Sequence, residues 1–275
     1  MKMPSMKLLT CVVTLACASF SVPASADHTW GSYHWARTSN PFTLKLGDNV
    51  SSAWDAYLAT TSADWSVSSV LNTTIVAGGT TGRRCKPTAG RVEVCNEKYG
   101  KNGWLGLAQI WASGSHITQG TTKVNDTYFN TPTYNTTAWR NLVMCQEVGH
   151  ALGLDHQDEN FSNPNLGTCM DYTSDPTSNQ HPNDHDYEQL EIIYDPAHVA
   201  DGGHLDSTIT VGQAAASAAG MPRAMAENDY AERSQWGKLI RSSKNGLKEV
   251  YLLEFGQGYK IFTFVTWAEG HGRGR

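Results

Sequence analysis

Long hydrophobic runs are scarce in this sequence. Beyond residue 26 the longest strongly apolar stretch is Ile261 to Ala268, far short of the roughly 20 residues that cross a bilayer as a helix. Basic charge is scarce as well: 21 Lys and Arg stand against 26 Asp and Glu, a formal net charge of −5. Such a chain has no excess of cations to neutralise phosphates or to hold an anionic lipid surface, so neither nucleic acid nor a membrane is an expected partner. No Cys-x2-Cys pair occurs, which argues against a structural cysteine-rich zinc site. No repeat of roughly 20 to 50 residues points to a solenoid or propeller. What is left, with 40% apolar and 17% charged residues, is the composition of an ordinary globular protein.

The N-terminus is the exception to the apolar scarcity. Lys2 and Lys7 precede an apolar stretch from Leu8 to Phe20, followed by Ala24-Ser25-Ala26, the pattern of a secretory signal peptide cleaved near Ala26. A lipoprotein reading through Cys17 is weaker, because that cysteine sits inside the apolar stretch. The mature chain is expected to be exported, extracellular or periplasmic, and monomeric. Four cysteines then remain, Cys85, Cys95, Cys145 and Cys169. An even count in an oxidising compartment points to two disulfides. Of the three pairings, Cys85 with Cys95, closing a short loop, and Cys145 with Cys169 is favoured.

Residues 27 to about 135 read as strands separated by turns. The candidates are Phe42 to Leu46, Val67 to Ala77, Val92 to Cys95, Leu105 to Trp111 and Ile117 to Val124, with an amphipathic helix over 50–58 carrying Val50, Trp54, Tyr57 and Leu58 on one face. A second helix starts at Thr137, capped by Asn135 or Thr136, and ends at Gly153. A third is predicted from Asp184 to about Tyr194, with acidic residues at its start. From about residue 206 an Ala, Gly, Ser and Thr-rich linker leads to a hairpin over 249–267 around Gly256-Gln257-Gly258.

The chemistry concentrates in Gln146-Glu147-Val148-Gly149-His150-Ala151-Leu152-Gly153-Leu154-Asp155-His156. On a helix, residues 146 and 150 share a face one turn apart and Glu147 projects beside them. Gly153 can adopt the left-handed conformation that turns the chain and returns His156 toward His150.

This stretch resembles the metzincin clan of zinc endopeptidases, including matrixins and astacins, whose motif is His-Glu-x-x-His-x-x-Gly-x-x-His followed by a methionine-containing turn. Glu147, His150, Gly153 and His156 match residue by residue, while Gln146 stands where the family has its first histidine. Cys169-Met170-Asp171-Tyr172 looks like the Met-turn, with Met170 as the apolar floor of the site. The order of elements over roughly residues 30 to 200 is similar to the clan, and the last 70 or so residues are not covered.

The resemblance implies an α+β fold: a metzincin-like catalytic domain over 27–205 with a mixed twisted sheet, active-site helix, Met-turn and C-terminal helix, plus a linker and small β-hairpin extension over 206–275. It implies one catalytic Zn²⁺ on His150 and His156, with Gln146 as third ligand. It also implies Glu147 as general base, Tyr172 as a helper at the oxyanion, and a protein or peptide substrate. A Cys145 to Cys169 disulfide would brace the active-site helix against the Met-turn.

Gln146 leaves three readings open. Its amide oxygen ligates directly, another histidine such as His116, His181 or His185 substitutes, or no metal is held. The last corresponds to a different class of protein, a catalytically inactive secreted binding protein on a metzincin scaffold. His116, His181, His185, His198 and His204 otherwise read as surface or loop histidines. The acidic group Asp155, Asp158 and Glu159 is a weaker candidate for Ca²⁺ than for a hydrated loop. No cysteine lies between residue 26 and Cys85, so a cysteine-switch zymogen is not expected.

Overall fold

The computed structural model describes residues 27–194, 220–227 and 230–272. The expected signal peptide over 1–26 and most of the expected linker lie outside the described residues.

In chain order the elements begin with β1 (His34–Trp35), β2 (Phe42–Asn49), α1 (Asp55–Trp65), β3 (Leu71–Ala77) and β4 (Arg91–Glu97). Then come β5 (Trp104–Ser113), β6 (His116–Asn125), the short α2 (Asp126–Phe129), α3 (Thr137–Ala151), α4 (Asp184–Tyr194) and the short α5 (Arg223–Glu227). The chain closes with β7 (Lys238–Ser242), β8 (Lys248–Gly256) and β9 (Tyr259–Trp267). The fold is α+β: one nine-stranded sheet in the order β3-β2-β4-β6-β5-β9-β8-β7, with β1 attached to β6. The β2, β3, β4 and β6 pairings are parallel. Those of β5 with β6 and β9, and of β8 with β9 and β7, are antiparallel.

Alternation explains the outer strands. In β2, Phe42, Leu44 and Leu46 are buried while Thr43 and Lys45 face out, as a period of two requires of a strand covered on one face. At the centre alternation disappears: all of β5 except Ser113 is buried, because both faces of the sheet are covered there. On one face, α1 and α3 pack over Leu44, Leu46, Val92, Val94 and Ile110. On the other, Met221, Met225, Tyr230 and Trp236 pack over Leu107, Trp111, Ile261 and Val265.

Two boundaries differ from the pattern reading. The first helix starts at Asp55, because Ser51 to Trp54 form a turn pinned by Ser51 N donating to Asn96 Oδ1 at 2.6 Å and Trp54 Nε1 donating to Asp126 Oδ1 at 2.8 Å. It runs on to Trp65 with polar Thr61 and Ser62 on its buried side. Ser62 Oγ meets Thr73 Oγ1 of β3 at 2.7 Å, so that position is satisfied by a hydrogen bond that a hydrophobic period does not register. The strand expected from Val67 begins only at Leu71, since Val67 to Val70 turn the chain and Val67 is exposed. The helix over 184–194 and the hairpin around 256–258 lie where the sequence placed them. Both expected disulfides, Cys85 to Cys95 and Cys145 to Cys169, are formed.

Candidate functional site

Helix α3 begins with Thr136, whose Oγ1 accepts the Trp139 amide at 3.2 Å, satisfying one of the open N–H groups of the first turn. From Leu142 to Ala151 every residue is buried. The helix lies directly under β5, and Gly106 is what permits the approach. A Cβ there would sit 2.5 Å from Glu147 Oε1 and 2.5 Å from Val143 Cγ1. On another side of the helix, a Cβ on Gly149 would meet Met170 Sδ at 2.5 Å and Trp65 Cζ2 at 2.8 Å.

The helix ends as the sequence predicts. Gly153 has φ +99°, and its pro-Cβ direction is closed by Tyr33 O at 2.7 Å, so only glycine fits. Gly153 N bonds His150 O at 3.1 Å and Leu154 N bonds Gly149 O at 3.2 Å, closing the last carbonyls. This reversal brings His156 back beside His150, with their Nε2 atoms 3.1 Å apart.

The outer ring nitrogens decide what the inner ones can do. His150 Nδ1 lies 3.0 Å from Leu154 O. A carbonyl only accepts, so Nδ1 carries the proton and the His150 Nε2 lone pair faces inward. His156 Nδ1 lies 3.5 Å from Asp155 Oδ1 but is left without a hydrogen-bond partner. If His156 Nε2–H donates to His150, an unprotonated Nδ1 faces that carboxylate. A cation between the two Nε2 atoms removes the conflict, because His156 Nδ1–H then points at Asp155 and both inner lone pairs have an acceptor. Burial holds both imidazoles well below the usual histidine range, helped for His150 by His156 and for His156 by Lys248. The pair therefore fits a cation, and these two rings would hold it. Among the described residues no group of three or more His, Cys, Asp or Glu is gathered as a metal centre, so a third protein ligand would have to be of another type.

Gln146 is that candidate, and its amide is already engaged. Nε2 donates to Cys169 O at 2.6 Å and lies 3.4 Å from Asp171 O, tying the helix to the segment that the disulfide also holds. Oε1 accepts from Lys248 Nζ. Lys248 Nζ also donates to Thr266 Oγ1 at 2.8 Å, and Thr266 Oγ1 donates to Glu147 Oε1 at 2.6 Å. Glu147 Oε2 is buried without a partner. Burial pushes the Glu147 carboxyl up to about 7, against the pull of Lys248. Burial likewise pushes Lys248 down to about 7, against the pull of Glu147.

Of the other expected site residues, Tyr172 stands with its ring 4.3 Å from that of His156 and is almost fully buried, which raises its hydroxyl pKa. The alternative histidines are tied elsewhere: His181 Nδ1 to Asp64 at 2.7 Å, His185 to Glu188 and beside His28, and His116 beside His34. His198 and His204 lie outside the described residues. The acidic group considered for Ca²⁺ is bound by protein groups, Asp155 and Glu159 by Arg241 and Asp158 by Asn163.

Three residues at the site come from the C-terminal hairpin and were not found from sequence: Lys248, Phe264 and Thr266. Register places them. Thr266 pairs with Gly106 on one side and Lys248 on the other, so the row Gly106-Thr266-Lys248 crosses the sheet above Glu147. Two residues back on β9, Phe264 stacks on His150 at 4.4 Å and 9°. The sole sequence signal was period-two alternation in β9, which names a face but not what the face meets. A cavity of about 320 Å³ adjoins the row, lined among others by Leu105, Trp139, Leu142, Asp171, Lys248 and Trp267.

Neither a protein family nor a curated protein matches the chain. Among solved structures, the chain is similar to high choriolytic enzyme 1, a hatching-enzyme zinc-protease from Oryzias latipes (medaka fish). The likeness has 11% identity and a TM-score of 0.32, over 59% of this chain and 94% of that one. At that level of likeness, function rests on the site itself.

Proposed function

We propose that the chain is a secreted zinc-dependent endopeptidase of metzincin type, with its catalytic residues in 27–205 and the β8–β9 hairpin laid over them. The observation that carries this reading is the convergence of His150 and His156, Nε2 to Nε2 at 3.1 Å, with a backbone carbonyl and Asp155 placed at their outer nitrogens. His150, His156 and the Gln146 amide oxygen would hold the ion, which supplies Lewis acidity toward a peptide carbonyl and toward water.

Glu147 is the proton carrier. Burial raises the Glu147 carboxyl above the usual carboxylate range, which makes it a stronger base, so Oε2 can take a proton from water and return it to a leaving amine. Tyr172, neutral at any physiological pH, offers a hydroxyl donor from beside His156. Met170 backs the helix at Gly149, consistent with a Met-turn. Secretion is supported by the two disulfides and by residues 1–26.

Zinc stoichiometry of the purified mature protein tests the reading. About one zinc per chain is expected, kept in Glu147→Ala without turnover and lost in His150→Ala. Unchanged turnover in Glu147→Ala would remove the assigned mechanism. The second reading, an inactive binding protein, is supported by Lys248 donating to Gln146 Oε1, a cation already at the amide oxygen. On that reading native protein holds no zinc, and Gln146→His creates a site.

A further inference from the structure

Two of the polar atoms that would serve the proposed reaction, Gln146 Oε1 and Glu147 Oε1, are held by side chains of β8 and β9. Lys248 Nζ donates to Gln146 Oε1, and Thr266 Oγ1 donates to Glu147 Oε1 and lies 3.1 Å from Gln146 Oε1. Phe264 covers the His150 ring face to face. The Lys248 ammonium also lies 5.9 Å from the centre of the Tyr172 ring. Gln146, Glu147, His150 and His156 are consequently between 0% and 7% exposed.

The backbone is covered in the same way. β5 runs above Glu147 and has β6 on one edge and β9 on the other. An extended peptide adding to a sheet needs a free edge, and β5 has none. The cover is anchored from behind. Phe264 and Thr266 point at α3, while Ile261, Val265 and Trp267 pack with Trp236, Tyr251 and Met225 in the second core. Glu249, fully buried, accepts from Arg233, Tyr251 and Trp267.

Resting on the reading above, we infer that the β8–β9 hairpin is an internal inhibitor of the site, with Lys248 standing in for the metal at Gln146 and Phe264 and Thr266 standing in for substrate. Nζ and a divalent cation exclude one another at the same amide oxygen, since the two would occupy one poorly solvated space, and a protonated Nζ adds Coulomb repulsion. Metal and hairpin therefore compete, and the closed chain is the latent form. A peptide reaches Glu147 only when β9 leaves the β5 edge.

The full-length mature protein is titrated with Zn²⁺ against a chelating dye, as wild type, Lys248→Met, Lys248→Arg and Lys248→Met/His150→Ala. Lys248→Met keeps the length of the side chain and removes the charge, and it is expected to bind zinc about tenfold tighter or better than wild type. The tighter binding is expected to vanish with His150→Ala, and Lys248→Arg to behave as wild type. Equal, tight zinc binding by wild type and Lys248→Met would overturn the inhibitor while leaving the zinc site intact. Zinc in none of the proteins would overturn the zinc site itself and the inhibitor with it. A second measurement needs no variant: amide hydrogen exchange over 248–267 in wild type is expected to quicken with saturating Zn²⁺. Slower or unchanged exchange there in a zinc-loaded protein contradicts competition.

Discussion

Single atoms set the spacing of this site. Gly106 is the tightest case, because any side chain there meets both Glu147 and Val143. Gly106→Ala is expected to lower stability by about 1–3 kcal/mol through overpacking, read as a lower urea midpoint with an unchanged slope. His28 bears on the site from the other side. Its Nδ1 bonds Asp155 O at 2.9 Å, and burial pushes its pKa down to about 4 from 6.5. Between those pH values the unfolded chain binds a proton that the native ring refuses, so stability is present above 6.5 and is lost as pH falls toward 4, by up to about 3 kcal/mol. Asp186, 3.5 Å away and pushed up to about 6 by burial, acts with the opposite sign over part of that window. Urea midpoints at neutral pH and near pH 5 are expected to differ less in His28→Gln than in wild type. An equal or larger difference would place the acid sensitivity elsewhere, for example at His150 and His156, which burial also holds neutral.

At the scale of elements, the site is a helix end held against a loop and a strand. Cys145 and Cys169 bridge α3 to the loop, and Gln146 Nε2 repeats the connection one residue on with its bond to Cys169 O. Replacing both cysteines with serine is expected to cost about 2–4 kcal/mol, read by urea denaturation. Hydrogen exchange is expected to rise in residues 169–172 before it rises in α3, because the loop, and not the helix, loses its tether. Helix α3 was legible because its apolar residues recur at three and four, Thr136 caps it and Gly153 stops it. The turn that brings His156 back to His150 was legible for the same reason, being local in sequence. Helix α1 was read over 50–58 and overlaps the observed helix only at 55–58, because the later turns bury polar Thr61 and Ser62, the latter hydrogen-bonded to Thr73.

The whole molecule is organised by one sheet with two cores, one on each face. β5 and β9 contribute to both, Ile110 and Phe264 to one and Trp111 and Val265 to the other. In the metal-free, closed protein the hairpin is thus expected to unfold with the rest of the sheet, giving a single calorimetric transition. Trp236, 1% exposed and packed on Tyr251 and Trp267, is expected to cost about 3–5 kcal/mol when replaced by alanine. An early separate transition in Trp236→Ala, with the remainder unchanged, would show instead that the hairpin is an independent unit.

The sequence by itself determined what depends on neighbours along the chain: the strand alternation, the helices over 137–151 and 184–194, the turn at Gly153 that returns His156 to His150, and the hairpin at 256–258. The tertiary structure alone decided where that hairpin docks. Strand pairing between β5 and β9 joins residues more than a hundred positions apart, and its register rests on side chains of both faces at once. A lysine at the start of an apolar strand carries no mark of its destination, yet that register puts Lys248 on Gln146 and Thr266 on Glu147. The local arrangement of the motif was therefore readable in one line of sequence, and its cover was not.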